Sequence, residues 1–535
     1  MADDGDDQVV RAPAVTDVVI VGGGHNGLVA AAYLARYGMR VVLLERLGHL
    51  GGATVSERPF AGVDADLSRY SYLVSLLPYP IVRDLELDLE LRSRPVASYT
   101  PVFREGRADG LLVERSAGAG TADSFRRLTG SDREWQRWQD FYERIGRAAR
   151  VIAPTLLEPL AAKGELMKAL ADVCGASFWG AFMEQPLGAV IERTFADDDV
   201  RGVVLTDALI GTQSHAHDAS LRQNRCFLYH LIGNGTGEWR VPIGGMGAVT
   251  GSLARSAEKA GAVLVTGATV TRLEADGHTA AAVYRTGRGE ARIEAKYLLV
   301  NAAPAVLDDL LGRAGAPQPE GNQLKVNMVL TRLPRLRSGV DPQVAFAGTL
   351  HLDESYSALR QAYQVSETGE FPDPLPTEVY CHTLTDRTIL GRREAAAGLH
   401  TLTLFGLHTP ARLYAQPGSR EHAVRLALAG LNRYLAEPIE DCFALDAEGA
   451  PCVEARSPLD VQEELAMPGG HIFHGDLDWP WAQGPHRPGD WGVETDIANV
   501  LLCGAGARRG GAVSGVPGRA AALKVLLSRQ KRRRK

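Results

Sequence analysis

Cysteine is scarce in this chain: there are six in 535 residues, and no two stand as C-x-x-C. That excludes a C-x-x-C redox disulfide and a cysteine-rich zinc site. Cys174, Cys226, Cys381, Cys442, Cys452 and Cys503 read as small buried thiols, and no metal site is expected. Long hydrophobic runs are lacking too. No segment reaches the roughly 18 consecutive apolar residues of a membrane span. The start, "MADDGDDQ", lacks the positive charge and apolar stretch of a secretory signal. The cytoplasm is therefore the expected location. An excess of basic charge is also missing. The net charge of −6 argues against a nucleic-acid partner. What remains is an ordinary globular composition, long enough for two or three domains.

The first 45 residues carry the strongest motif. "VVIV" ends in Gly22-x-Gly24-x-x-Gly27, and the small-residue helix "LVAAAYLARYG" follows. A second apolar run, "RVVLLE", closes on Glu45. Unbroken apolar runs predict buried parallel strands, and the whole unit has the length of a right-handed crossover. Gly22 suits the tight turn. Gly24 lets backbone approach a pyrophosphate, and Gly27 lets helix lie close on strand. With His25 and Asn26 between them, they open a helix whose free N–H groups favour phosphate. Glu45 stands where a carboxylate accepts hydrogen bonds from ribose hydroxyls.

Two further glycine corners lie far away in sequence. "NVLLCGAGARRGGAVSGVPGRAAALKVLL" gives a short strand, Gly504 and Gly506, then a helix entered through Gly515 and Val516 with Pro517 in its first turn. Between the ends, "VPIGGMGAVTGSLARSAEKAGAVLVTGATVTRLEADG" gives a glycine turn, an amphipathic helix and short strands. "EARIEAKYLLVNAAP" ends in a buried strand and a small-residue corner at Asn301 to Pro304.

With these pieces in order from residue 17 to about 527, the chain resembles the phytoene desaturase-like flavoproteins, the carotenoid and retinoid oxidoreductases. "GGHIFHGDL" points more narrowly to the group named after pyridine nucleotide-disulfide oxidoreductase domain-containing protein 2. The resemblance implies an α/β fold with a glutathione-reductase-like, Rossmann-type FAD-binding domain and a mixed-sheet plus helical substrate domain. It implies FAD as cofactor, with Arg46, the doublet Gly51-Gly52 and Ala53 near the phosphates and Val270 offering backbone groups to the adenine. The second glycine loop would meet the flavin ring. The family often carries His-Pro where this chain has Arg508-Arg509, and an Arg after the doublet where it has Ala53-Thr54.

The expected division is a disordered start (1–14), an FAD domain in three pieces (15–95, 235–310 and 485–528), a substrate domain from two insertions (96–234 and 311–484) and a basic tail (529–535). The first insertion reads as largely helical, with Ser131 as an N-cap. The second contains strand-like alternation in "LKVNMVLTRL" and "LHTLTLFGLH". Candidates for proton transfer are His215 and His217 in "QSHAHDAS" and His471 and His474 in "GGHIFHGDLDW". Arg508 and Arg509 are candidates for holding an anionic substrate or reduced flavin, with solvent-facing arginines as the alternative. The resemblance implies a desaturase or dehydrogenase acting on a largely apolar small molecule. A flavin-dependent isomerase and a flavin-free prenyl-binding chaperone of the Rab GDP-dissociation-inhibitor type are the alternatives. The tail "KRRRK" would suit peripheral contact with anionic lipid.

Overall fold

The computed structural model describes residues 13–116, 118–313 and 318–534. Residues 1–12 of the acidic start lie outside them. The apolar runs "VVIV", "RVVLLE" and "KYLLV" meet in a five-stranded parallel sheet. Its order is Val500–Leu502, Tyr297–Val300, Val18–Val21, Val41–Leu44, Val263–Val265. Ile20 sits between Leu299 and Leu43 in register, and all three are fully buried. Both faces are covered, which is why these strands lack alternation. Helices His25–Arg36, Gly245–Lys259 and Val516–Arg534 pack on one face, around Leu28, Leu253 and Val525. A three-stranded antiparallel sheet, Thr269–Ala275 to Gly289–Ala295, shares a core with the other. The last helix runs through the basic segment to Arg534 rather than ending before it.

The second body is a seven-stranded mixed sheet. Its order is Val453–Arg456, Asn322–Leu330, His400–Pro410, Thr377–Tyr380, Thr349–Leu352, Val96–Arg104, Arg107–Glu114. One face carries Leu324, Val326, Leu404 and Val379 onto helix Ser419–Tyr434. The opposite residues of the same strands form a row: Lys325 pairs with Phe405, Phe405 with Glu378, and Glu378 with His351. Strand periodicity of two therefore turns four distant residues to one side. A helical layer built on Arg133–Thr155 and Arg222–Ile232 contributes Trp138, Phe141 and Phe227 to another core.

The α/β class with a mixed-sheet second body is as expected. The first insertion is largely helical, as expected, but one strand pair in it was not read and one cap needs correction. The first insertion opens with a hairpin, Val96–Arg104 and Arg107–Glu114, turning at Glu105 and Gly106, both with positive φ. Pro101 and the charges beside it mask that strand in the sequence. The long helix starts at Arg133 behind Asp132, so Ser131 is one residue outside the cap, although its Oγ still accepts from Arg133 N–H at 3.4 Å.

Candidate active site

The glycine corner is set by contacts that leave no room for side chains. Gly22 has φ +97°, which only glycine adopts without strain. A Cβ on Gly27 would lie 2.3 Å from Gly22 O, so the helix could not seat on the strand. Gly24 differs: a Cβ there would meet only Asn301 Nδ2 closely, at 3.1 Å, and would otherwise enter the cavity. Asn301 Nδ2 donates to Gly22 O and Gly24 O (3.1 and 3.4 Å), pinning the loop from the neighbouring strand. Its role was not read from sequence. The signal was its place at the "NAAP" corner.

Glu45 is buried at the end of its strand. Its carboxylate accepts from Gly23 N–H at 2.6 Å and Leu47 N–H at 2.7 Å, leaving further lone pairs on both oxygens. Ala268 N–H donates to Glu45 O at 2.7 Å, so the strand carrying Val270 begins beside the acid. Gly51, with φ +121°, donates to Gly23 O at 2.9 Å, and Gly52 lies against Gly24. Ala53 lines the cavity with this doublet. Arg46 does not join them. It is exposed and donates to Glu464 O at 2.5 Å, so the expected charge beside the phosphates is absent from the loop.

The distant loop closes on the same corner. A Cβ on Gly504 would approach Asn301 Oδ1 to 3.0 Å, and one on Gly506 would strike Pro304 Cδ at 2.5 Å. Gly515, with φ +71°, turns the chain into the helix that begins at Val516. A Cβ on Gly518 would stand 2.0 Å from Asn26 O, so the two helices start in contact. Two helix N-termini therefore meet at the corner where Gly24, His25 and Asn26 line a cavity, an arrangement that favours negative charge. His25 Nε2 and Asn26 Oδ1, buried at this corner, have no hydrogen-bond partner among the described residues. Burial first, and His474 second, push the His25 pKa down to about 4, so its ring is neutral.

These features fit a dinucleotide, and the second loop fits FAD better than NAD. The first corner would hold a pyrophosphate and Glu45 a ribose, while the second corner supplies a further helix terminus. A nicotinamide dinucleotide has no separate need for it.

The cavity that begins at Gly24 and Gly52 has a volume of about 790 Å³ and continues over the mixed sheet. Lys325 stands on its floor, buried. Its Nζ donates to Tyr70 O at 2.6 Å and to Ser68 O, and lies 4.7 Å from the Tyr72 ring centroid. Burial holds its pKa well below the usual ammonium range. Further along, Tyr380 OH donates to Glu378, and His351 Nδ1 lies 2.8 Å from Glu354 Oε2. Burial, then the Glu354 charge, raises Glu378 to about 7, and burial raises Asp207 to about 6. Sequence reading missed Lys325, Glu378 and Asp207. The available signal for the first was a lysine within "LKVNMVL", a strand whose other side is wholly apolar.

The raised Glu378 pKa has a consequence for stability. Between its ordinary value of 4.5 and about 7, the folded state holds a proton that the unfolded state has released. Stability then falls as pH rises through that window. Glu354, His351, Asp207 and Tyr380 face the same carboxyl. Glu378→Gln removes the penalty. Its melting temperature is expected to exceed the parent's by a few degrees at pH 8 and to match it near pH 4.5. Thermal scans at both values check this.

Of the six catalytic candidates, the structure brings one to this cavity. His474 lines it, and a Cβ on Gly506 would stand 3.3 Å from the His474 Cβ; burial drives its pKa down to about 4. His471 lines an adjacent cleft and accepts from Phe473 N–H at 3.2 Å. His217 is exposed, 2.8 Å from Glu192, and the His215 ring lies 4.8 Å from that of Tyr363. Neither lines the cavity.

Arg508 and Arg509 are a clear correction. They are neither solvent-facing nor in the cavity. Arg508 donates to Trp479 O (3.1 Å) and Trp481 O (3.3 Å) and pairs with Asp478 at 3.3 Å. Arg509 donates to Thr155 O (2.9 Å), Glu158 O and Trp491 O (2.8 Å). Thr155 ends the long helix, whose last carbonyls lack intrahelical donors. Arg509 thus caps a helix from 354 residues away.

The fold and cradle define the class: an oxidoreductase fold of the flavoenzyme type, built on a dinucleotide-binding domain. Residues 20–85 match the family model for an NAD(P)-binding Rossmann-like domain. Cyclohexylamine oxidase from Brevibacterium oxydans has a similar fold, with a TM-score of 0.55, 15% identity and coverage of 96% of this chain and 99% of that one. The chain belongs to the family of pyridine nucleotide-disulfide oxidoreductase domain-containing protein 2. It is 30% identical to the Mus musculus member over 559 residues, 95% of this chain and 93% of that protein. Uncharacterized protein Rv0897c of Mycobacterium tuberculosis is 48% identical over 529 residues, 97% of this chain and 98% of that one.

Proposed function

We propose that this protein is an FAD-dependent oxidoreductase, a desaturase or dehydrogenase acting on a largely apolar small molecule. The observation that carries the reading is the single cavity joining Gly24, Gly52 and Asn301 to Lys325 and an aromatic wall that includes Trp135, Trp138, Tyr142 and Phe405. FAD, when bound, supplies a hydride acceptor. Gly24 and Gly52 would lie along its pyrophosphate, on a corner shaped by Gly22 and Gly27, with Glu45 at the ribose and Val270 at the adenine edge. Gly504, Gly506, Gly515 and Val516 would border the ring. The three chain segments 15–95, 235–310 and 485–528 would form the FAD domain, with 96–234 and 311–484 holding substrate.

The chain's own chemistry centres on Lys325. When deprotonated, the amine has two N–H groups, and the carbonyls of Ser68 and Tyr70 accept two hydrogen bonds from Nζ. Its lone pair is then its remaining hydrogen-bonding function, suited to taking a proton from substrate or water. The same carbonyls stabilise the ammonium that results. The aromatic wall excludes water around an apolar substrate.

The test is anaerobic incubation of the purified, flavin-loaded protein with apolar candidates. Loss of the oxidised flavin spectrum is expected with a substrate. Turnover only after prior reduction would mark an isomerase instead. A colourless protein that cannot be reconstituted with FAD would leave only a binding role. Among the described residues no helix is long and apolar enough to cross a membrane.

A further inference from the structure

Arg94 precedes strand Val96–Arg104 and lines the cavity, with only 5% of its surface exposed. No hydrogen bond or ion pair to its guanidinium exists among the described residues, and its buried Nε has no partner. The Tyr380 ring lies 5.5 Å from the guanidinium carbon to the centroid, and the Glu378 carboxyl acts on Arg94 through space without a hydrogen bond or ion pair to it. Other basic side chains on the cavity wall differ. Lys325 donates to two carbonyls, Arg115 faces Glu238 at 3.8 Å and Arg456 faces Glu464 at 2.9 Å. A buried charge without a hydrogen-bonded partner is strongly unfavourable, and a ligand that supplied the counter-charge would relieve that cost. Burial lowers the Arg94 pKa only to about 10, so it stays a cation at neutral pH.

Resting on the reading of this cavity as the substrate site, we propose that Arg94 anchors the carboxylate of an apolar carboxylic-acid substrate. The planar guanidinium fork matches a carboxylate in a bidentate pair. A single unpaired cation balances one negative charge. Asp207 and Glu378 on the same wall disfavour a dianion such as a phosphate monoester. The surrounding aromatic side chains fit the apolar body. Arg94 thereby takes the anion-binding role that the sequence assigned to Arg508 and Arg509.

The test uses the flavin-loaded protein, with octanoate and 1-octanol as probes in calorimetric titrations. Octanoate is expected to bind at least about tenfold more tightly than 1-octanol. In Arg94→Met, octanoate affinity should fall about 10- to 100-fold while 1-octanol affinity holds. Flavin content should be unchanged, and the melting temperature equal or higher, because an uncompensated charge has been removed. Arg94→Lys should recover only part of the octanoate affinity. Equal affinity of the parent for both probes would overturn the proposal. So would loss of flavin, of stability or of folding in Arg94→Met, which would make Arg94 a cofactor or structural contact. Calorimetry reads the carboxylate and absorbance reads the flavin, so failure here leaves the oxidoreductase reading separately testable.

Discussion

Gly24→Ala is expected to fold normally and to lose its hold on the dinucleotide. The new methyl would approach Asn301 Nδ2 to 3.1 Å, the end of a side chain that can yield a few tenths of an ångström. Gly24 already has φ −68°, so alanine adds no backbone strain. The methyl stands instead where the pyrophosphate must approach the loop. Overpacking of this size costs roughly 1–3 kcal/mol, or about 10- to 100-fold in affinity for FAD. Gly27→Ala should behave differently. Its methyl meets Gly22 O at 2.3 Å and Asn301 Nδ2 at 2.9 Å, contacts internal to the protein. That variant should lose stability even without cofactor. Melting temperatures of the two apoproteins, with FAD titrations of each, separate the roles. Equal apoprotein losses would contradict the distinct tasks given to the two glycines.

Lys325→Met is expected to retain FAD and lose turnover. Methionine keeps the length and apolar stem, and the Ser68 and Tyr70 carbonyls each lose a hydrogen bond from Nζ. Removal of a positioned proton acceptor slows a reaction by about 10²- to 10⁴-fold. The loss should fall on the rate of flavin reduction by substrate, not on flavin content. Rapid-mixing absorbance under anaerobic conditions measures it. A change of less than threefold, on the order of the roughly 0.6 kcal/mol given by small packing effects, would remove Lys325 from the chemistry. Activity in the parent should also rise with pH through the depressed Lys325 pKa, because the protonated amine cannot accept a proton.

The cradle was legible in sequence because its determinants are local. Gly22, Gly24, Gly27 and Glu45 follow one another within a single strand–helix–strand unit, and each spacing has one geometric meaning. The strands "LKVNMVL" and "LHTLTLFGLH" were legible through alternation. The chemistry above the mixed sheet was not. Lys325, Phe405, Glu378 and His351 become neighbours only through the register of four strands whose chain order differs from their order in the sheet. Periodicity marks a side chain as inward, but it cannot name the residue across the ladder. Arg508 and Arg509 failed for the opposite reason. Their position beside a glycine loop suggested the ligand, whereas the loop turns at Arg509, with φ +64°, and both side chains run back to backbone carbonyls. Arg94 has no motif at all. Its meaning rests on a missing partner, which only three dimensions reveal.

The central claim is that the two glycine corners together hold FAD. The most direct measurement is the identity and amount of cofactor released when the purified, reconstituted protein is denatured in acid and the supernatant is separated by chromatography. One FAD per chain is the expected result. An NAD-type dinucleotide in its place, or no bound nucleotide after incubation with FAD, would contradict the account.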